Sequence, residues 1–277
     1  MDHLNWHECG DGDRVLICLH GFLGESRDWK EFADSFLTHA PGWRLALVEL
    51  PGHGKAKPGW TCPSAGEFST ALRDFVSSKG WGTAALAGYS LGGRLGLHAA
   101  LSSPTRFPAF IGISTTAGIE DPEQRAIRLA SDLAQSQRLR GDGGFSQFLR
   151  EWWNQPVFDS PARDEGKFEE FFASRLQRDP VQMATCLEAW SPGALPAQWA
   201  ALPSYPGRVL LLSGEFDTKY NAYALQMQAS FRQSHRLCIS GAGHQLLMEK
   251  PREVAIAVAS FLNRQATSFS ISNARSG

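Results

Sequence analysis

A serine, an acid and a histidine, each just past the end of a short apolar run, stand in the order that activation of a hydroxyl requires. Residues 83–87 run straight into Gly88-Tyr89-Ser90-Leu91-Gly92-Gly93 and then into a helical pattern, so a G-x-S-x-G sequence occupies a strand-turn-helix junction. A turn that tight strains the central residue, and only glycine at the flanking positions leaves room for it. Ser90 is therefore expected at the carboxyl end of a strand, with the backbone N–H of Leu91 and the positive end of a helix beside it. The hydroxyl needs a base, and the base needs an orienting acid. Residues 209–213 form an apolar run followed by Gly214-Glu215-Phe216-Asp217, which puts Asp217 in the next loop. Glu215 is the competing acid; it lies closer to the strand end, and Asp217 is the preferred of the two. Residues 237–239 lead to Gly241-Ala242-Gly243-His244, a glycine-flanked histidine and the expected base.

After the first apolar run comes His20-Gly21-Phe22-Leu23-Gly24. Its backbone can turn a second N–H, that of Phe22, toward the point served by Leu91, and two such donors make an anion hole. His20 is read as a structural hydrogen-bonding group in that loop, and Pro51-Gly52-His53-Gly54 as a turn shaping the pocket wall. Arg94 lies one helical turn beyond Ser90 among apolar neighbours, where a buried cation calls for an anion: a loop carboxylate or a carboxylate of the substrate. Further on, Arg125 and Arg128 share a helix face at i, i+3, so either can face inward. Trp152 and Trp153 offer aromatic walls, and by spacing alone Arg175 reads as an exposed helix arginine.

The elements that must carry these residues follow an alternating pattern. Apolar strand-like runs at 14–19, 44–50, 83–87, 109–114, 208–213 and 236–239 are separated by helical patterns at 29–36, 64–78, 91–101, 223–231 and 251–264. Strand and helix in alternation specify an α/β fold, a mostly parallel sheet with helices on both faces. From 119 to 206 the rhythm gives way to a helix-rich stretch with no buried strand. The expected organisation is a core of 1–118 and 207–265, a helical cap inserted at 119–206, and a flexible tail at 266–277.

The 277 residues carry 27 Lys+Arg against 28 Asp+Glu, 43% hydrophobic residues and 27 glycines, a globular composition. A formal net charge of -1 removes the electrostatic case for nucleic acid or an anionic membrane surface as partner. No stretch approaches the roughly 18 apolar residues of a membrane span. The amino terminus lacks the apolar segment of a secretion signal, so a cytoplasmic protein is expected. Its oligomeric state, monomer or dimer, is left open. The five cysteines (Cys9, Cys18, Cys62, Cys186 and Cys238) are odd in number and widely spaced, which suggests free thiols in place of a disulfide framework or a zinc site.

Taken in order, the glycine elbow, the H-G-F-L-G loop and the Ser-Asp-His series resemble the α/β-hydrolase superfamily over nearly the whole chain. That superfamily includes esterases, C–C hydrolases, lyases and non-enzymatic receptors. A narrower resemblance extends through the inserted stretch. Gly88–Arg94, His20–Gly24, the 124–128 segment, Glu151-Trp152-Trp153-Asn154-Gln155-Pro156-Val157-Phe158, the 214–220 segment and Gly241–His244 are similar to the 2-succinyl-6-hydroxy-2,4-cyclohexadiene-1-carboxylate synthase (MenH) family. Departures from that pattern are Trp153 in place of a common Tyr, Glu49 in place of Asp, and Lys55 in place of Ser.

The resemblance implies a cofactor-free, metal-free lyase that eliminates pyruvate from a small polycarboxylate in menaquinone or phylloquinone biosynthesis. It assigns Ser90, Asp217 and His244 to the triad, Phe22 and Leu91 to the oxyanion hole, and Tyr89, Arg94, Arg125, Trp152 and Arg175 to substrate binding. Ser90 would then act as a base toward an acidic C–H. Two other readings of the same residues stay open: a carboxylesterase or C–C hydrolase that uses Ser90 as an acyl nucleophile, and a non-catalytic small-molecule receptor.

Overall fold

The computed structural model describes residues 4–56, 62–141 and 144–264; the tail expected at 266–277 lies outside them. In chain order the elements are β1 (Asn5–Cys9), β2 (Arg14–Leu19), α1 (Lys30–His39), β3 (Trp43–Glu49), α2 (Ala65–Ser78), β4 (Ala85–Tyr89), α3 (Leu91–Ser102) and β5 (Ala109–Ile113). Four helices follow: α4 (Pro122–Arg140), α5 (Phe145–Trp153), α6 (Glu165–Arg175) and α7 (Pro180–Ala189). Then come β6 (Arg208–Gly214), α8 (Thr218–Ser230), β7 (Ser234–Ile239), α9 (Leu246–Glu249) and α10 (Pro251–Asn263).

The strands form one sheet in the order β1-β3-β2-β4-β5-β6-β7. All pairings are parallel except β1 with β3. Side chains alternate across the pleat, so β2 sends Ile17 and Leu19 to one layer and Leu16 and Cys18 to the other. The first layer is closed by Phe68 and Leu72 of α2, Leu95 of α3 and Met227 of α8. Phe32 and Phe36 of α1, with Val254 and Val258 of α10, close the second. Covering a parallel sheet on both faces is why its strands read as unbroken apolar runs.

Local chemistry sets the helix starts. The Ser64 hydroxyl accepts from the Glu67 N–H while the Glu67 carboxylate accepts from the Ser64 N–H, a reciprocal cap that opens α2. Asp121 and Asp179 cap α4 and α7, each followed by a proline whose missing N–H is no loss at a first turn.

Strand β2 is bonded to β3 on one side and β4 on the other. The connections after β2 and β4 therefore diverge, leaving a crevice at the carboxyl ends of these two central strands. Both loops that hold candidate residues, 20–24 and Ser90, open into it.

Three features depart from the sequence reading. Strand β1 was not foreseen: it is an antiparallel edge strand of partly exposed Asn5-Trp6-His7-Glu8-Cys9, without the apolar run that marks its neighbours. Helix α8 begins at Thr218, five residues before the expected periodicity, because the Asp217 carboxylate caps it. The expectation that all five cysteines are free is corrected: Cys62 and Cys186 form a disulfide across a sequence separation of 124, with Cα atoms 5.4 Å apart. Folding lays α7 against the segment after β3, a proximity that linear spacing does not reveal. Cys9, Cys18 and Cys238 are free. Among the described residues, no helix is long and apolar enough to cross a membrane.

Candidate active site

Ser90 joins β4 to α3 with φ 50° and ψ -108°. Such a backbone is costly for a residue with a Cβ and persists only where its surroundings over-determine it. Here they do. The Ser90 N–H donates to the Ile113 carbonyl at 2.9 Å, and its carbonyl accepts from the Arg94 N–H at 3.1 Å and the Thr115 hydroxyl at 2.8 Å. The flanking glycines answer to space: a Cβ on Gly88 would strike the Gly92 carbonyl, and one on Gly92 would strike the carbonyls of Leu19 and His20. Helix α3 thus packs directly on the end of β2, which brings the elbow against the 20–24 loop.

His244 Nε2 stands 3.3 Å from Ser90 Oγ, and Nδ1 stands 2.7 Å from Asp217 Oδ2. Both His244 and Asp217 are buried. A carboxylate can only accept, so Nδ1 carries the proton and Nε2 is left free to accept from the serine. Residues 90, 217 and 244 come from three separate strand ends and converge on one relay. Glu215, the competing acid, is exposed and turned the other way, accepting from the Gly241 N–H at 2.7 Å and the Ser240 hydroxyl at 2.8 Å.

Phe22 and Leu91 line the same cavity as Ser90. Leu91 opens α3, so its N–H has no acceptor within that helix. His20 is fully buried; its Nε2 accepts from the Leu50 N–H at 3.1 Å, which leaves Nδ1 to donate to the Gly21 carbonyl at 2.8 Å. Burial holds its pKa below the usual imidazole value. It braces the loop as a neutral group.

The cavity at Ser90 measures about 470 Å³. Trp152, Val157, Phe158 and Leu187 supply apolar wall from the inserted helices and the turn between them, and Arg94, Arg128 and Lys219 bring positive charge. Arg94 is buried at 8% exposure; its Nη2 reaches the Trp190 carbonyl at 3.5 Å and its Nε has no partner. It forms no ion pair with any described residue, so the loop carboxylate foreseen as one possible partner is not there. Burial opposes its charge and lowers its pKa, while the Tyr220 hydroxyl beside it pulls the other way.

A family profile described as alpha/beta hydrolase fold matches residues 14–251. Over 251 residues the chain is 32% identical to 2-succinyl-6-hydroxy-2,4-cyclohexadiene-1-carboxylate synthase of Escherichia coli O1:K1, covering 89% of this chain and 93% of that one. The chain belongs to this synthase family. MenH from S. aureus superposes on it with a TM-score of 0.87 at 27% identity, covering 96% of this chain and 100% of that chain. Protein PHYLLO of Arabidopsis thaliana, a chloroplastic protein, is 30% identical over 277 residues, covering 93% of this chain and 16% of PHYLLO. The chain is therefore an enzyme of the 2-succinyl-6-hydroxy-2,4-cyclohexadiene-1-carboxylate synthase family, built on an α/β-hydrolase fold.

The remaining residues expected to bind substrate in this synthase fare unequally. Trp152 lines the cavity, held edge-to-face on Phe22 at 5.0 Å between ring centroids. Tyr89 lines a second space of about 430 Å³ that shares Phe22, Ser90, Trp152, Phe158 and His244 with the first, and burial raises its hydroxyl pKa well above the ordinary value. Arg125 does not line the Ser90 cavity; of the i, i+3 pair, Arg128 is the one facing it, tied to Asp132 at 2.7 Å.

Arg175 corrects the reading of an exposed arginine. It is 2% exposed and its guanidinium lies over Phe171, paired with both Asp28 and Glu25 in the segment following the 20–24 loop. It lines the second space, not the first. Trp153, singled out as a departure, packs in the inserted helices against Phe158 and Phe171. Glu49, the other departure, is buried and accepts from the Ser26 and Lys55 N–H groups, with Gly54 pressed so close that a Cβ there would overlap the carboxylate. Lys219 and Tyr220 were not anticipated as cavity residues. Their signal was present in their place immediately after Asp217, where a helix start turns successive side chains toward its own N-terminus.

Proposed function

We propose that this enzyme eliminates pyruvate from 2-succinyl-5-enolpyruvyl-6-hydroxy-3-cyclohexene-1-carboxylate, giving 2-succinyl-6-hydroxy-2,4-cyclohexadiene-1-carboxylate, with Ser90, His244 and Asp217 as its proton relay. His244 accepts the Ser90 proton, and the serine oxygen removes the acidic C–H next to the succinyl ketone. The electron pair moves through the ring and breaks the bond from carbon to the enolpyruvyl oxygen at the far position. The leaving enol takes up a proton and becomes pyruvate. Negative charge that builds on the ketone oxygen meets the N–H groups of Phe22 and Leu91.

The observation that carries this reading is the charge of the cavity. Arg94 is buried one turn from Ser90 with no carboxylate partner, and Arg128 and Lys219 face the same space. Isolated buried cations are expensive, and a polyanionic substrate removes that cost as it binds. A plain carboxylester gives no such return. We assign substrate contacts to Arg94, Arg128, Trp152 and, from the second space, Tyr89. To Arg175 we assign the role of fastening α6 to the segment behind the oxyanion loop, since its guanidinium is already committed to two carboxylates. We also propose that the inserted helices act as a cap over the site.

The test mixes the purified protein with the enolpyruvyl precursor and follows pyruvate through a coupled dehydrogenase, beside simple ester substrates. Pyruvate release that outpaces ester cleavage is the expected result. Ester cleavage without pyruvate would transfer the chain to the carboxylesterase reading.

A further inference from the structure

Outside the Ser90 cavity lies a separate cleft of about 460 Å³, walled by Glu120 and Asp121 ahead of α4, by the first turns of α4 and by Trp199, Tyr223 and Gln226. Two residues line both spaces, Arg128 and Lys219. The partition between the reaction cavity and the outer cleft is thus made of two long cationic side chains. Arg128 has a carboxylate, Asp132, which also accepts from the Ser191 hydroxyl at 2.6 Å. Lys219 has none: among the described residues it forms no ion pair or hydrogen bond. Lys219 reaches solvent in part, yet the charges around it oppose its own. Partial burial and the charges of Arg128 and Arg94 lower its pKa, and of the two carboxylates that oppose this, Asp217 is committed to His244 and Asp132 to Arg128. Lys219 also stands in the first turn of α8, where the free N–H groups add positive potential. On the reaction-cavity side three cations and a helix start meet, with both nearby carboxylates, Asp132 and Asp217, already committed to Arg128 and His244, an imbalance that an anion would correct.

We propose that Lys219 is a substrate-binding residue, seating one carboxylate of the polyanion at the partition between reaction cavity and outer cleft. The assignment rests on the function proposed above and deepens it. A carboxylate bridging Lys219 and Arg128 leaves the rest of a six-membered ring free to extend inward toward Ser90.

The test compares wild type with Lys219→Met and Lys219→Arg in two assays. In steady-state pyruvate release, Lys219→Met should raise KM about tenfold, the range of a lost charge-assisted hydrogen bond, with kcat changed less than threefold. Lys219→Arg should recover most of the loss. In calorimetric titration with succinate, a dicarboxylate that cannot react, Lys219→Met should weaken binding by a similar factor. Unchanged KM and unchanged succinate affinity would overturn the proposal, as would a fall in kcat at constant KM. Lys219 is exposed enough that the fold tolerates both changes. If wild type released no pyruvate at all, the proposed reaction would fail, and the succinate titration would still decide whether Lys219 holds a carboxylate.

Discussion

Replacing Asp217 by Asn separates the two acids that compete in the chain and does so with little structural disturbance. Asp217 caps α8 by accepting from the Tyr220 N–H at 3.4 Å, a role asparagine fills equally well. Toward His244 the two side chains differ sharply. The carboxylate accepts from Nδ1 at 2.7 Å in a buried setting, which keeps Nε2 unprotonated and facing the Ser90 hydroxyl at 3.3 Å. An asparagine amide placed with its NH₂ toward the ring donates to Nδ1, so the proton moves to Nε2 and the serine loses its base. In Ser-His-Asp enzymes that change of tautomer costs about 10⁴-fold in kcat, equivalent to about 5.5 kcal/mol of barrier. We expect Asp217→Asn to lower kcat for pyruvate release by 10³- to 10⁴-fold at roughly unchanged KM. Glu215→Gln, on an exposed loop and able to keep its acceptor oxygen, should stay within about twofold of wild type. The assay is pyruvate formation by the two variants at saturating substrate, with thermal unfolding as a check on the fold. More than a tenth of wild-type kcat in Asp217→Asn, or an equal loss in both variants, would refute the tautomer argument.

Other consequences follow from burial and space. Burial lowers the His98 pKa to about 4, so the unfolded chain binds a proton there that the folded chain refuses. Stability from this group is fully present above about pH 6.5 and is lost as pH falls toward 4, worth about 3 kcal/mol at most; urea unfolding of His98→Gln across that window should show a correspondingly shallower decline. Gly92→Ala should destabilise by about 3 kcal/mol or more because its Cβ meets backbone carbonyls. Gly241→Ala, with φ 67° and open space around it, should cost only about 1 kcal/mol; equal losses in the two would show that packing at the elbow is not tight. Arg175→Met leaves the Asp28 carboxylate without its ion-pair partner, while Glu25 keeps Arg178, and should cost about 3 kcal/mol in chemical denaturation. Combining it with Asp28→Asn should restore most of that, and failure to do so would place the effect elsewhere.

The elbow could be read from the chain because its requirements are local: a strand, a helix and three glycines within a few positions each leave a mark. The order of Ser90, Asp217 and His244 was equally plain, since each follows an apolar run. Distance from the strand end favours Asp217 over Glu215; what spacing cannot show is the Gly241 N–H that draws the Glu215 carboxylate outward. Long-range partnerships left no trace. Arg175 meets carboxylates about 150 residues away, so a helix pattern could only report an exposed cation. Cys62 and Cys186 meet across the core and the inserted helices. The choice between Arg125 and Arg128 turns on the rotation of α4 about its axis, which depends on packing against α7 and not on spacing. Strand β1 escaped notice because an antiparallel edge needs backbone hydrogen bonds more than apolar side chains.

We propose that the Ser90 hydroxyl drives the loss of pyruvate. The most direct test is the rate of pyruvate formation from the enolpyruvyl precursor by Ser90→Ala beside wild type at equal folded concentration. A loss of at least 10²-fold is predicted, the lower end for removal of a general base. A variant that releases pyruvate at the wild-type rate would show that the Ser90 oxygen is not the base.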